Sequence, residues 1–106
     1  LNLYSQINYI KDFWELDIYD NNKEVFPPLF KEFYKRVMYS NKKFTQFSIE
    51  GWKSDRGKIY IKHGMPKEIT FDFNETGEFE IWYYNSNKKF VFLNQFGIYK
   101  LYSGSN

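Results

Sequence analysis

The segment GWKSDRGKIYIKHGMP, residues 51–66, joins two halves of the chain that have different apolar periodicities. Ser54 is a good helix N-cap, and Asp55 beside it favours the positive end of a helix dipole. Gly64 suits the position that follows a helix, and Pro66 is unable to continue one. These signals predict a short helix that begins at Asp55.

The residues between these caps, Asp55–His63, also carry signals for a strand. Gly57 weakens a helix, and Ile59, Tyr60 and Ile61 prefer strands. Because the caps bracket the span on both sides, we expect the helix, and the strand stays open as the alternative.

The first half of the chain has the residue spacing of helices. Apolar side chains recur at intervals of three and four and therefore share one helix face. In the first predicted helix they are Leu3, Ile7, Ile10, Phe13 and Trp14. A second helix is predicted at about residues 28–45, because Pro27-Pro28 suits the first helical turn, where N–H groups have no partner.

The second half predicts strands. Ile69, Phe71 and Phe73 alternate with polar residues, which is the pattern of a half-buried strand. Three short turns then separate runs of strand-forming residues, and successive hairpins of this kind form an antiparallel meander. The predicted strands are about residues 69–73, 79–84, 89–93 and 98–102.

These elements predict an α+β fold, with N-terminal helices packed on a C-terminal antiparallel β-meander of about four strands. With 106 residues, the chain fits a single domain spanning 1–106. Its predicted parts are a helical half (1–50), a corner with the short helix (51–67), the strands (68–102) and a flexible tail (103–106).

Composition narrows the classes of function. The chain has no cysteine, which excludes thiolate chemistry, Cys-ligated zinc and disulfides. Its net charge of +2 comes from basic and acidic residues that are interspersed, so we expect no nucleic-acid partner. The densest basic group fits the solvated face of the second helix. It comprises Lys31, Lys35, Arg36, Lys42 and Lys43.

Targeting signals are weak guides for this chain. No run of about 18 apolar residues could cross a membrane, and no signal peptide is recognisable. The chain begins at Leu1, so we expect a mature product or a piece of a longer protein. The lack of a targeting signal therefore carries little weight.

Residues that could support catalysis have simpler structural explanations. His63 is the single histidine, so a metal site built from several histidines is impossible. A catalytic triad would need a serine nucleophile, and no nucleophile-elbow motif surrounds any serine. We expect Asp55 to complete a helix start and Arg56 to pair with Glu50 or Glu80. No metal or cofactor is predicted.

Aromatic residues make up 24% of the chain, more than a core of this size easily holds. The run at 79–84 is aromatic on both faces of its strand. Either Phe79, Ile81 and Tyr83 face the helices or Trp82 and Tyr84 do, because a shift of one residue exchanges the two sets. If one face is uncovered, an aromatic strip is exposed, and such patches mark contacts with partners.

Several motifs together resemble one family, the GWxTD domain, a bacterial domain of uncharacterised function. They occur in order at residues 51–61, 64–66, 80–84 and 90–92, and the resemblance extends over about residues 7–102. Ser54 stands where the family name has Thr, and both residues cap helices. We expect the signature to be structural, with Trp52 as a plug between the two later helices and Gly51 permitting their close approach. The signature residues are Gly51, Trp52, Ser54, Asp55, Arg56, Gly57, Gly64 and Pro66.

The resemblance implies an exported protein and therefore an extracytoplasmic location. We expect a non-catalytic domain that binds a protein, a glycan or the remainder of a longer chain. A purely structural domain is the alternative, and a small hydrolase using Asp55, His63 and Glu80 is a further one. The candidate binding surface is the aromatic set Trp82, Tyr83, Tyr84, Phe90 and Phe92.

Overall fold

A computed structural model describes residues 26–104. The helix predicted at residues 3–14 lies outside this part, as do the last two residues of the predicted tail. The described chain is α+β, with the helices first and the strands after them, as expected. The elements are α1 (Phe26–Phe44), a 3₁₀ turn (Gly51–Lys53), α2 (Asp55–His63), β1 (Glu68–Asn74), β2 (Gly77–Asn85), β3 (Lys88–Gln95) and β4 (Ile98–Gly104).

Helix α2 has the predicted bounds, so the helix prevails over the strand alternative. The Ser54 Oγ accepts a hydrogen bond from the Gly57 N–H at 3.0 Å, which satisfies one free donor of the first turn. At the other end, Gly64 has a φ of 79° and its N–H donates to the Tyr60 carbonyl at 2.7 Å. A positive φ favours glycine, which explains the residue at this end.

The four strands form one antiparallel sheet in the order β1-β2-β3-β4, which confirms the meander. An asparagine precedes each tight turn and accepts a backbone N–H with its side chain. Asn74 accepts from Thr76 at 2.8 Å, Asn85 accepts from Asn87 at 2.8 Å, and Asn94 accepts from Gly97 at 2.9 Å. These side-chain bonds mimic a backbone turn and set where each strand ends.

The helices cover one face of this sheet. In the β2–β3 register, Trp82 lies opposite Phe90. The Phe44 ring at the end of α1 packs on Trp82, with 5.5 Å between ring centroids. The buried core cluster is Phe44, Tyr60, Trp82, Phe90 and Phe92.

The last strand is longer than predicted. Ser103 pairs with Val91 and Gly104 pairs with Phe90, so β4 ends two residues beyond the predicted end. The prediction of a flexible tail is therefore wrong for Ser103 and Gly104. Small polar residues suggested a tail, but their backbone groups still complete the ladder with β3.

Candidate functional site

Gly51 and Gly57 allow α1, the 3₁₀ turn and α2 to pack closely against one another at the corner that precedes the sheet. A Cβ atom on Gly51 would lie well under 3.0 Å from the carbonyl oxygen of Ser40 in α1. A Cβ atom on Gly57 would overlap the carbonyl oxygen of Gly51 in the same way. The 3₁₀ turn is therefore packed, backbone against backbone, between α1 and α2.

Side chains of α1 and its C-terminal loop fix the position of this turn. The Gly51 N–H donates to the Thr45 hydroxyl at 2.9 Å, and the Trp52 N–H donates to the Asn41 side chain at 2.9 Å. The Ser54 hydroxyl donates to the Gly51 carbonyl at 2.6 Å while it caps α2. Each of these bonds satisfies a backbone group that the sharp corner would otherwise leave unpaired.

Trp52 is half-buried at this corner. Its indole N–H donates to the Glu50 carboxylate at 2.6 Å, and the Lys53 ammonium lies 5.2 Å from the centre of its ring. The close approach expected at Gly51 is present. The indole itself keeps part of its surface in contact with solvent.

Asp55 and Arg56 join the corner to the sheet. The Asp55 carboxylate accepts the Leu101 N–H of β4 at 2.7 Å. The Arg56 guanidinium donates to the Glu80 carboxylate of β2 at 3.0 Å, so Glu80 is its partner and Glu50 is not. Arg56 also lies 3.5 Å from the centre of the Tyr99 ring, a cation–π contact. The pair is nearly buried, and it ties α2 to the middle of the sheet.

His63 packs at the end of α2 against the sheet. Its ring lies 5.0 Å from that of Phe90, and its Nδ1 is 3.3 Å from the Lys88 ammonium. Burial, with smaller contributions from Lys88, Lys62 and Arg36, lowers the pKa of His63 to about 4. The imidazole is therefore neutral at pH 7, and it accepts a hydrogen bond from Lys88.

The three residues considered for a hydrolase have separate partners. Asp55 bonds Leu101, His63 bonds Lys88 and Glu80 bonds Arg56. Glu80 lines a cleft of about 210 Å³, whereas Asp55 lines another of about 120 Å³. Within the part of the chain described, no hydrogen bond joins any two of the three.

The predicted aromatic surface is divided between the two faces of the sheet. Trp82, Phe90 and Phe92 are 1%, 3% and 0% exposed, so the expectation that they form an exposed surface is wrong. They face the helices, and the register places Tyr84 on the same face, where its hydroxyl donates to the Gly64 carbonyl at 2.8 Å. Burial raises the pKa of Tyr84. Tyr83 lies on the opposite face and is half-buried.

An exposed apolar strip lies instead on the edge strand β1. Ile69, Phe71 and Phe73 are 40%, 63% and 80% exposed. Since Ile69 lies opposite Trp82, the strip is on the helix-covered face of the sheet, beyond the cover that the helices provide. Sequence periodicity indicated a half-buried strand here, but it carried no sign that the strand lies at an edge.

The strip continues into the cleft of about 210 Å³ between β1 and α1. Ile69 and Met65 form part of one wall, and Tyr39 and Lys43 of α1 contribute to the other. Trp82 also lines this cleft. The cleft is therefore mainly aromatic and aliphatic, with the amine of Lys43 and the carboxylate of Glu80 as its charged groups.

The two edges of the sheet differ. On β4, the Gln46 side chain accepts the Tyr99 N–H at 3.0 Å and donates to the Tyr99 carbonyl at 3.4 Å. The Asp55 carboxylate accepts the Leu101 N–H, which is the next N–H along β4 that points away from β3. On β1, no strand among the described residues pairs with the outer edge. The Phe73 N–H donates to the exposed carboxylate of Asp72 in the same strand at 2.7 Å.

Neither helix in residues 26–104 has both the length and the apolarity needed to cross a membrane. Those residues also contain no group of three or more histidine, aspartate or glutamate side chains placed to hold a metal ion.

Comparison with known families gives a match. The family described as the GWxTD domain matches residues 3–100, which is nearly the whole chain. The chain belongs to the GWxTD domain family. No curated protein and no solved structure matches it.

In this GWxTD domain, the residues that resemble the family signature have structural contacts. Gly51 and Gly57 permit the close packing of the corner. Ser54 caps α2, while Asp55 and Arg56 bind β4 and β2. Sequence reasoning identified the cap and proposed Glu80 as one partner of Arg56. It missed the bond from Leu101 to Asp55, because only the fold brings those residues together.

Proposed function

We propose that this GWxTD domain is a non-catalytic protein-binding module that accepts an extended segment of a partner along β1. The observation that carries the proposal is the difference between the two sheet edges. Side chains of Gln46 and Asp55 occupy outward backbone groups of β4, whereas no described strand covers β1. An open edge is a template for an added strand.

The side chains of β1 favour a protein over a glycan. Successive residues on one face of an added strand would meet Phe73, Phe71 and Ile69, which expose apolar surface. None of these side chains has a polar atom with which to bind sugar hydroxyls. Main-chain hydrogen bonds would supply affinity, and the apolar strip would select alternate side chains of the partner.

The cleft beside Ile69 supplies a pocket for one larger side chain of the segment. Its walls include Tyr39, Met65 and Trp82, and Lys43 is its basic group. An aromatic or long aliphatic side chain would bury its surface there. A carboxylate next to that side chain would be placed to meet Lys43.

The proposed setting is a longer, exported bacterial protein, and the partner is another protein or a neighbouring part of the same polypeptide. The family resemblance supports this setting. Sequencing the complete reading frame and fractionating cells that express it would test the setting independently of the binding site.

A peptide-display selection on the purified domain tests the binding site. Selected peptides should shift the backbone amide signals of β1 (Glu68–Asn74) in NMR spectra. Phe71→Lys should weaken binding by at least about tenfold, because an exposed lysine on an edge strand opposes strand addition. Met38→Lys is the matched control, since Met38 is another exposed apolar residue and lies on α1.

Three results would contradict this proposal. The proposal is wrong if the selection returns no specific peptide, or if the changes in amide chemical shift lie away from β1. It is also wrong if the Phe71→Lys and Met38→Lys variants bind peptide equally well. If the complete protein instead protects the β1 amides from hydrogen exchange without any added partner, the strip serves as an internal domain contact.

A further inference from the structure

Two carboxylates lie beside the exposed phenylalanines of β1. Phe71 and Phe73 line a shallow groove of about 450 Å³ together with Asp72 and Glu78. The register places Glu78 of β2 opposite Phe73, so this carboxylate is on the same face of the sheet as the two rings. Within residues 26–104, neither Asp72 nor Glu78 forms a salt bridge. The groove therefore combines two aromatic rings with two carboxylates that have no cationic partner in the described part of the chain.

The Asp72 side chain turns towards the outer edge of β1. Asn74 and Gly77 flank the two-residue turn and pair with each other, so the N–H of Phe73 points away from β2. The Asp72 carboxylate accepts this N–H at 2.7 Å. An added strand would bond the same N–H with one of its own carbonyls, and the carboxylate would then be free to meet a cation of the partner.

The other charges near β1 leave the groove as the most acidic part of this edge. Glu75 lies in the turn that follows β1, next to the groove. At the start of the strand, Lys67 and Glu68 are adjacent residues of opposite charge. Lys43 of α1 lines the cleft of about 210 Å³ at that end, where Glu80 already has its ion-pair partner. Negative charge that is not offset nearby is therefore concentrated at the end of β1 that precedes the turn.

We propose that the segment that adds to β1 is basic, and that one of its lysine or arginine side chains occupies the groove. This inference rests on the proposed role of β1 and names the chemistry of the partner. The aliphatic part of the side chain would pack on Phe71 and Phe73, whose ring faces also attract the cation. Its charged end would meet Asp72 and Glu78. Arginine suits two carboxylates better than lysine, because its guanidinium presents several donors in one plane.

The groove and the cleft together define a pattern of side chains in the partner. Alternate residues of an added strand point to the helix-covered face of the sheet. A residue opposite Ile69 reaches the cleft, and a residue opposite Phe71 or Phe73 reaches the groove. The large apolar residue and the basic residue are therefore two or four positions apart in the partner.

Peptide display on the purified domain, with sequencing of the whole selected pool, tests this pattern. Peptides that shift the β1 amides should be enriched in arginine or lysine two or four positions from a large apolar residue. The double variant Asp72→Asn with Glu78→Gln should bind synthetic copies of these peptides about tenfold more weakly. Added salt should weaken binding by the wild type more than binding by this variant.

Two further variants separate charge from folding. Asparagine at 72 still offers an acceptor to the Phe73 N–H, so the double variant should keep the melting temperature of the wild type. Glu50→Gln removes an exposed carboxylate at the corner beside Trp52 and is the matched control, which should bind peptide as the wild type does. Glu78→Lys should reverse the preference and favour peptides in which the basic residue is replaced by glutamate.

The outcomes distinguish this inference from the proposed function. Peptides that bind β1 without enrichment in basic residues, or equal affinities of the double variant and the wild type, would overturn the inference and leave β1 as the binding edge. A selection that returns no specific peptide would overturn both. Ultracentrifugation that shows a dimer of the domain, abolished by Phe71→Lys, would make a second copy of the chain the occupant of the edge and would also overturn the inference.

Discussion

At the scale of single residues, the absence of a side chain at Gly51 shapes the corner between α1 and the sheet. The backbone of this residue lies where a Cβ atom would overlap the Ser40 carbonyl. Gly57 stands in the same relation to Gly51. Both contacts are with backbone atoms, which are unable to move aside as a flexible side chain would.

We predict that Gly51→Ala lowers the free energy of unfolding by about 2 kcal/mol or more, because overpacking forces the backbone to shift. Urea unfolding monitored by circular dichroism measures the loss. Lys53→Ala is the control in the same 3₁₀ turn, and its exposed side chain predicts a change within about 0.5 kcal/mol. Equal urea midpoints for Gly51→Ala and the wild type would contradict the packing argument.

At the scale of elements, the nearly buried pair of Arg56 and Glu80 couples α2 to β2. The side chains are 12% and 10% exposed, and the N–O distance is 3.0 Å. The guanidinium also contacts the rings of Tyr99 and Phe44, at 3.5 and 5.0 Å from their centres. Burying either charge without the other would destabilise the fold, so the contributions of the two residues to stability depend on each other.

We predict that Arg56→Met and Glu80→Leu each cost about 2–4 kcal/mol of unfolding free energy, because each leaves the other charge buried and unpaired. The double variant should lose at least about 1 kcal/mol less unfolding free energy than the two single variants lose together. Equilibrium unfolding of all four proteins gives this coupling. Strictly additive losses would mean that the pair makes no joint contribution.

At the scale of the whole molecule, the two described helices lie on one face of the sheet, and the single histidine is half-buried where α2 meets that face. His63 ends α2, packs on Phe90 of β3 and bonds Lys88 at the start of that strand. Its protonation in the folded state would place a second positive charge beside Lys88, with Lys62 and Arg36 nearby. Stability of the entire domain is therefore linked to the charge of this ring.

We predict that stability decreases as pH falls from 6.5 to 4. The folded-state pKa of His63 is about 4 against 6.5 for the free side chain, so the unfolded chain binds more protons throughout this window. The expected loss is about 1–2 kcal/mol, less than the full shift implies, because the ring is partly solvated.

Unfolding of the wild type and of His63→Gln across this pH range isolates the effect, since the two proteins share every other ionisable group. The wild type should lose more stability towards pH 4 than the variant. Lys88→Gln should raise the pKa of His63 and narrow the pH range over which stability falls. Parallel pH profiles for the wild type and His63→Gln would rule out the linkage.

Within residues 26–104, the sequence by itself determined the two helices, the four strands and their order. Ser54 and Gly64 bounded α2 correctly because an N-cap and a positive-φ glycine act within a few residues of the helix they end. Polar turns and alternating strands predicted the meander for the same reason. Such signals are local, and no distant part of the chain needs to be known to interpret them.

Tertiary structure decided which faces and edges are covered. Strand β2 carries aromatic residues on both sides, so only the packing of Phe44 on Trp82 placed Trp82, Phe90 and Phe92 in the core. The same packing left the β1 strip exposed, while Gln46 and Asp55 occupied the edge of β4. Burial and edge capping depend on contacts between residues far apart in the chain, and periodicity carries no information about those contacts.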